Sequence, residues 1–283
     1  MQRKDLTMYK KVLTIQDISC VGQCSLTVAL PILSASGMET VILPSAILST
    51  HTAGFTGFTF RDLTDDIDGI ADHWAKENIF FDTLYTGYLG SIAQIDKVIR
   101  IADTRLNEGA PLIVDPAMAD NGVLYSIFDD EFVKNMKRLT DKADIILPNI
   151  TEACFLTGTE YKETYDEAYI LTLVKKLAAN DEQTVVLTGV SYGKETTGVV
   201  VYTNGKLDYY KHEKIEKGCH GTGDVYASAF VGAYMNGKTA FESAKIAADY
   251  TVSCIKYTQG DETHWYGVKF EPVLGEYINL LKK

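Results

Sequence analysis

The 283-residue sequence predicts an α/β fold: a mostly parallel central sheet with helices on both faces and an antiparallel hairpin at one edge. Three observations carry this expectation. Short β-branched and aliphatic runs alternate with amphipathic stretches over most of the chain, the pattern of parallel strands joined by crossover helices. After Thr188 two strand-like runs flank Asn204-Gly205, a dipeptide that a tight hairpin turn prefers. No linker, internal repeat or low-complexity tract interrupts the pattern, so a single domain over 1–283 is expected, with ligands outside the carboxyl ends of the strands.

In chain order, KVLTIQ (11–16) reads as a buried strand, and a helix follows over 25–36, stopped by Gly37. TVILP (40–44) is the second strand. Residues 50–61 then break the periodicity with Gly54, Gly57, Phe55, Phe58 and Phe60 among hydroxyl and imidazole groups; a flap and an irregular strand pair are both open readings. A helix over 64–78 starts at a capping Thr64 and leads to the strand TLYT (83–86). A helix over 91–108 ends at Gly109 before LIVD (112–115), and DIILP (144–148), a helix over 166–180 and TVVLT (184–188) complete the alternating part. GVVVY (198–202) and LDYYKH (207–212) form the hairpin. Helices over 223–236 and 240–257 and one from about Val273 finish the chain.

Composition bounds the function. At 46% hydrophobic and 23% charged the chain is an ordinary globular one. Its 38 acidic against 27 basic residues give a net charge of −11, which repels an extended polyphosphate and argues against nucleic acid as a partner. The polar amino terminus and the absence of any apolar run near ~18 residues point to a cytoplasmic protein with no membrane partner. Five cysteines are odd in number and scattered. Cys20 and Cys24 are spaced like half a metal clip, but no second pair accompanies them, so buried free thiols are expected.

The sharpest motif is Gly221-Thr222-Gly223-Asp224 ahead of an apolar helix. Two glycines let backbone amides turn toward one point at the positive end of a helix, which suits an anion, with a carboxylate beside it. Asp224 could equally serve as a plain helix cap. Gly189 to Lys194 superficially matches a P-loop, but only three residues separate its glycines and Glu195 stands where Ser or Thr is required. LIVD ends in Asp115-Pro116 and runs into Asp120-Asn121-Gly122, while DIILP runs into Asn149 and, one turn on, Glu152. Carboxylates at neighbouring strand ends suit magnesium. Turn and capping roles for the same residues stay open.

In this order the motifs resemble the ribokinase-like superfamily of small-molecule kinases, and within it the pyridoxal (vitamin B6) kinase branch. The residues that carry the resemblance are Ile15-Gln16, His51-Thr52, Gly54-Phe55, Thr86-Gly87-Tyr88, 115–122, Tyr125, 147–153 and 221–224. The resemblance implies ATP and Mg²⁺ as cofactors, with K⁺ a further candidate, a small heteroaromatic alcohol as substrate, and a homodimer. It implies Asp224 as the base for the substrate hydroxymethyl group and the amides of Gly221, Thr222 and Gly223 as an anion hole. Asn149 and Thr188 would meet the nucleotide, Asp115, Asp120 and Glu152 the metal, and Asp17, Thr52 and Tyr88 the substrate ring, beneath a flap over about 50–61. Asp17 departs from the serine of familiar pyridoxal kinases and is shared with hydroxymethylpyrimidine kinases, so hydroxymethylpyrimidine is the rival substrate. Asp224 favours the B6 branch, since the pyrimidine kinases commonly have Cys there. A non-catalytic nucleotide or pyridoxal-phosphate binder is the alternative from another class. Cys219 and His220, just before the anion hole, read as loop residues or as contacts to ligand.

Overall fold

The computed structural model describes residues 9–215 and 219–283. The strands are β1 (Lys11–Ser19), β2 (Glu39–Leu48), β3 (Phe60–Asp62), β4 (Thr83–Thr86), β5 (Leu112–Val114), β6 (Ala119–Asp120), β7 (Val123–Leu124), β8 (Ile145–Ile146), β9 (Thr184–Val190), β10 (Thr196–Thr203) and β11 (Lys206–Glu213). The helices are α1 (Leu26–Ala35), α2 (Thr64–Lys76), α3 (Ile92–Arg105), α4 (Asp130–Lys142), α5 (Ile150–Thr157), α6 (Glu167–Leu177), α7 (Thr222–Met235), α8 (Ala240–Thr258) and α9 (Leu274–Leu281). Among the described residues no helix is long and apolar enough to cross a membrane.

Nine strands form one sheet in the order β11-β10-β9-β8-β5-β4-β1-β2-β3. The six strands from β9 to β2 run parallel, and the expected hairpin β10–β11 closes one edge antiparallel. β3 pairs antiparallel with β2 at the other edge, so the irregular stretch after residue 49 ends in a short strand. The chain passes from β1 to β2 on one side and then to β4, β5, β8 and β9 on the other. That reversal lies between β1 and β4, and their carboxyl ends open the crevice where such sheets bind ligands.

Alternation along the strands feeds two cores. Leu13, Ile15, Leu84, Leu112 and Val114 pack with α2 to α6, while Val12, Tyr85 and Ile113 pack with α1, α7, α8 and α9. α7 is buried almost all round, and Gly232 is where it meets α1 and α9: a Cβ there would collide with Ser36 Oγ and Tyr277 Oη. Both hydroxyls are fixed, bonded to each other at 2.9 Å and to Ile32 O and Ala229 O.

Several expectations need correction. The sequence reading has no helix between LIVD and DIILP, yet α4 lies there, capped by Asp129 and burying Phe132, Val133, Met136 and Leu139. That spacing is helical and was legible. Thr64 does not cap α2; Asp62 Oδ1 accepts the Thr64 amide at 2.6 Å, and the Thr64 hydroxyl accepts from Gln94 Nε2. Residue 25 also lies outside its helix, with φ 54° in the left-handed region. The cysteines are free, but Cys20 is exposed and only Cys154 and Cys254 are buried.

Gly232→Ala should lower the unfolding free energy by up to ~2 kcal/mol in urea titration, because overpacking of ~1–3 kcal/mol outweighs the ~1 kcal/mol that alanine adds in helix propensity. A more stable variant would show that α7 has room at this point.

Candidate active site

The crevice is built from several chain segments. α7 enters it amino end first: Gly221 is its N-cap with φ 80°, and a Cβ there would strike Gln23 O in the β1–α1 loop. The first-turn amides of Thr222, Gly223 and Asp224 have no preceding turn to bond to, and among the described residues no side chain caps them. The N-terminus therefore stays open to an anion. Asp224 does not take the plain capping role. Burial holds its carboxyl up at about 7, with the Ser25 amide opposing and the Asp17 charge adding to the rise.

Asp17, at the end of β1, is 5% exposed and accepts from Ser19 Oγ at 3.0 Å. Burial raises its pKa, while the Ser25 and Ser19 hydroxyls and His51 work the other way. Ser25 thus serves two carboxyls, its amide offsetting the rise at Asp224 and its hydroxyl the rise at Asp17, and it does so from a backbone conformation that non-glycine residues rarely adopt. Sequence reasoning missed it. Tyr88, beyond β4, completes this side: burial and the charges of Asp17 and Asp62 raise its hydroxyl to about 12, and its ring lies 5.7 Å from Phe128.

The other carboxylates stand at the ends of β5 and β8. Asp115 accepts from the Ala117 amide at 3.2 Å, and its pKa rises well above the usual range through burial and the charges of Glu152 and Asp224. Asn149 and Glu152 form a reciprocal capping box on α5. Both Glu152 oxygens are engaged, Oε2 by the Asn149 amide at 2.8 Å and Oε1 by the Met118 amide at 3.0 Å, and Asn149 Nδ2 donates to Ala119 O. Burial still lifts Glu152 to about 7. Thr188 sits beside this pair, its amide on Pro148 O at 2.9 Å. Asp120 is exposed and, among the described residues, its carboxylate accepts only from Asn121 within its own turn, so it joins the group through its charge rather than by contact. Tyr125, whose hydroxyl feels Glu152, Asp120, Asp115 and Asp224, stands over the cluster.

Among the described residues no three His, Cys, Asp or Glu side chains gather as a metal cage. Magnesium needs none, since it keeps several waters and binds through one or two carboxylates and phosphate oxygens. Asp115, pushed up by two neighbouring negative charges, fits that demand. Glu152 fits it only through water, both its oxygens being taken by amides.

Residues 50–59 close the crevice from one side. Thr52 is exposed and makes no hydrogen bond among the described residues, whereas His51 beside it is buried. His51 Nδ1 accepts the Ala53 amide at 3.1 Å, which leaves Nε2 to donate to Tyr266 O at 2.5 Å. Phe55 packs on Trp265 at 4.7 Å, and His220 lies 5.4 Å from His51. The flap is thereby tied to residues 264–268 and to the loop before Gly221; Val268 donates to His220 O at 3.0 Å.

This geometry is that of a crevice at a sheet reversal, with an open helix terminus, a buried carboxyl beside it and a further carboxyl and tyrosine close by. The sequence profile described as "Phosphomethylpyrimidine kinase" matches residues 38–268. The chain belongs to that kinase family. It is 28% identical to a pyridoxal kinase of Dictyostelium discoideum over 248 residues, 80% of this chain and 78% of that one. A pyridoxal kinase of Lactobacillus plantarum superposes with a TM-score of 0.89 at 30% identity, covering 96% and 98% of the two chains. A Bacteroides thetaiotaomicron protein assigned as a phosphomethylpyrimidine kinase, in a crystal form with pyridoxal, superposes with a TM-score of 0.89 at 35% identity over 95% and 96%. These likenesses bear out the ribokinase-like fold and the pyridoxal kinase branch expected from the motifs.

Asn149→Ala should cost ~2 kcal/mol of stability, a cap of ~1 kcal/mol and a buried tie to Ala119 of similar size. Thermal unfolding monitored by circular dichroism checks this; an unchanged midpoint would mean that α5 is held by its apolar face alone.

Proposed function

We propose that the chain transfers the γ-phosphoryl group of ATP to the 5′-hydroxymethyl group of a vitamin B6 alcohol. The observation that carries this reading is the convergence of Asp224, Asp17 and Tyr88 at the sheet reversal, and a crystal form of the 35%-identical Bacteroides protein with pyridoxal suggests the ligand class. In this reading Asp17 and Tyr88 orient the ring, Thr52 and the flap cover it, and its hydroxymethyl group points to Asp224. Asp224 accepts the hydroxyl proton as the oxygen attacks, and the amides of Gly221, Thr222 and Gly223 stabilise charge on the transferred group. Thr188 and Asn149 line the phosphate chain. Asp115, with Glu152 and Asp120 acting through water, would hold Mg²⁺, which when bound neutralises the nucleotide phosphates.

Hydroxymethylpyrimidine is the second reading, and Asp17 keeps it open: a carboxylate accepts from an exocyclic pyrimidine amine as readily as it pairs with a pyridine nitrogen. The two separate when ADP release is measured with pyridoxal, pyridoxamine, pyridoxine and hydroxymethylpyrimidine side by side. Stimulation by the B6 alcohols is expected. Stimulation by hydroxymethylpyrimidine alone would select the rival, and none by any of the four would refute a kinase for these substrates. Asp224→Ala should lose turnover by at least ~10³-fold while keeping its affinity for Mg-ATP, as expected for a group that acts in the transition state. A variant with most of its rate would reassign Asp224 to structure.

The pH dependence follows from the position of Asp224 near 7. A general base works ionised, so kcat/KM should rise with pH through about 7 and level off above it. An acid limb centred near the ordinary carboxyl value of 3.8 would show that Asp224 is not the titrating base.

A further inference from the structure

Beneath the crevice lies a layer of polar side chains that the transfer as described does not use. β4 turns Tyr85 toward α1 and α7, where it is fully buried beside Val12, Ile113 and Val225. On the same face stand Gln16 of β1 and Ser228 of α7, both at 0% exposure. Ser228 follows Asp224 by four residues, so the two share one side of the helix. Gln16 spends its Nε2 on Thr14 Oγ1 at 2.8 Å, and its Oε1 occupies the space that Gly87 leaves, where a Cβ would collide with it.

Tyr85 Oη, Ser228 Oγ and Gln16 Oε1 are buried, and none closes a hydrogen bond of normal geometry among the described residues. Ser228 and Gln16 are nevertheless the polar neighbours of the Tyr85 hydroxyl, and Asp115 and Asp224 are the charges that bear on it. Buried polar atoms are normally paired, and where protein does not reach, an ordered water with about three partners does. Three such atoms in one layer under two carboxylates are placed to share one.

We propose that Tyr85, Ser228 and Gln16 form a water-bridged floor that holds the Asp224 carboxylate in its reacting orientation, making Tyr85 and Ser228 positioning residues. This rests on the reading of Asp224 as the base. An aspartate among other carboxylates has few donors to fix its rotamer, and among the described residues the Ser25 amide is the one donor that bears on Asp224. The Tyr85 hydroxyl keeps its proton at any working pH, because burial and both charges oppose its loss, so it donates toward the Asp224 carboxylate through the bridge.

The test compares Tyr85→Phe and Ser228→Ala with Ser243→Ala, which removes an equally buried and unpaired hydroxyl on α8. The first two should lower kcat by ~10–100-fold with both KM values within about twofold, and Ser243→Ala should change neither. The double variant should lose little more than the worse single one, as expected for one shared network. An unchanged kcat in Tyr85→Phe, or an equal loss in Ser243→Ala, overturns the proposal. A high-resolution crystal structure of the unmodified protein judges it without reference to activity: an ordered water joining Tyr85, Ser228 and Asp224 is expected, and a dry layer refutes it. Absence of phosphoryl transfer by the unmodified protein counts against the kinase reading alone.

Discussion

The constraint on which the rest of the structure turns is the crowding of four carboxyl groups, Asp17, Asp115, Glu152 and Asp224, in one largely desolvated crevice of a chain whose net charge is already −11. Burial is the largest cause of the shift in each, and like charges add to it at Asp115 and Asp224. Such a cluster would force protonation or unfolding unless fixed dipoles met it. Backbone amides do so: the open end of α7, the Ser25 amide beside Asp224, and the two amides on Glu152. The arrangement is tolerable as it stands and gains most when positive charge arrives with the ligand. In the proposed reaction, that is how a chain of this net charge would accept a nucleotide polyanion.

Holding the dipoles in place requires interlocked loops, and some of the chain's unusual backbone conformations lie there. Gln23 and Ser25 have positive φ, and Gly22, Gly221 and Gly267 each lie where a side chain would meet His51, Gln23 O or Gly22 O. The β1–α1 loop, the loop before α7 and residues 264–268 are thus packed backbone to backbone. The flap is fastened to the same knot through His51 and Phe55. In the proposed reaction, any movement of residues 50–59 would be felt by the segment ahead of α7, where water exclusion matters for phosphoryl transfer.

The layered sheet, the hairpin after Thr188 and the buried helix after Gly221 were legible because each rests on local periodicity or turn chemistry. The strand β8 shrank from five expected residues to Ile145–Ile146, since Asp144 and Pro148 bound it on either side. The capping box at Asn149 was legible as a pattern, but its second use, tying residues 118–119 to α5, depends on tertiary contact. Ser25 was not legible as a site residue, and His51, singled out by the resemblance, had no role that the sequence could assign. One acts through a backbone angle and the other through a carbonyl 215 residues away, and neither leaves a periodic signal. Thr52 shows the converse, a residue singled out by resemblance that the structure leaves exposed.

Asp17 explains why ring identity is the hardest property to read. Burial pushes its proton on, while Ser19, Ser25 and His51 pull it off. A carboxyl poised in this way donates to an unprotonated ring nitrogen when neutral and accepts from a pyridinium or an exocyclic amine when ionised. In the proposed reaction it would therefore recognise a nitrogen-bearing ring rather than one particular ring. In the proposed reaction, discrimination falls to shape, set by Tyr88 against Phe128 on one side and the fastened flap on the other. A pocket wall of this kind separates ligands that differ by a methyl or hydroxyl group by only ~1–3 kcal/mol. The same crevice can thus serve B6 alcohols and hydroxymethylpyrimidine across one family, with small changes in its walls shifting the preference.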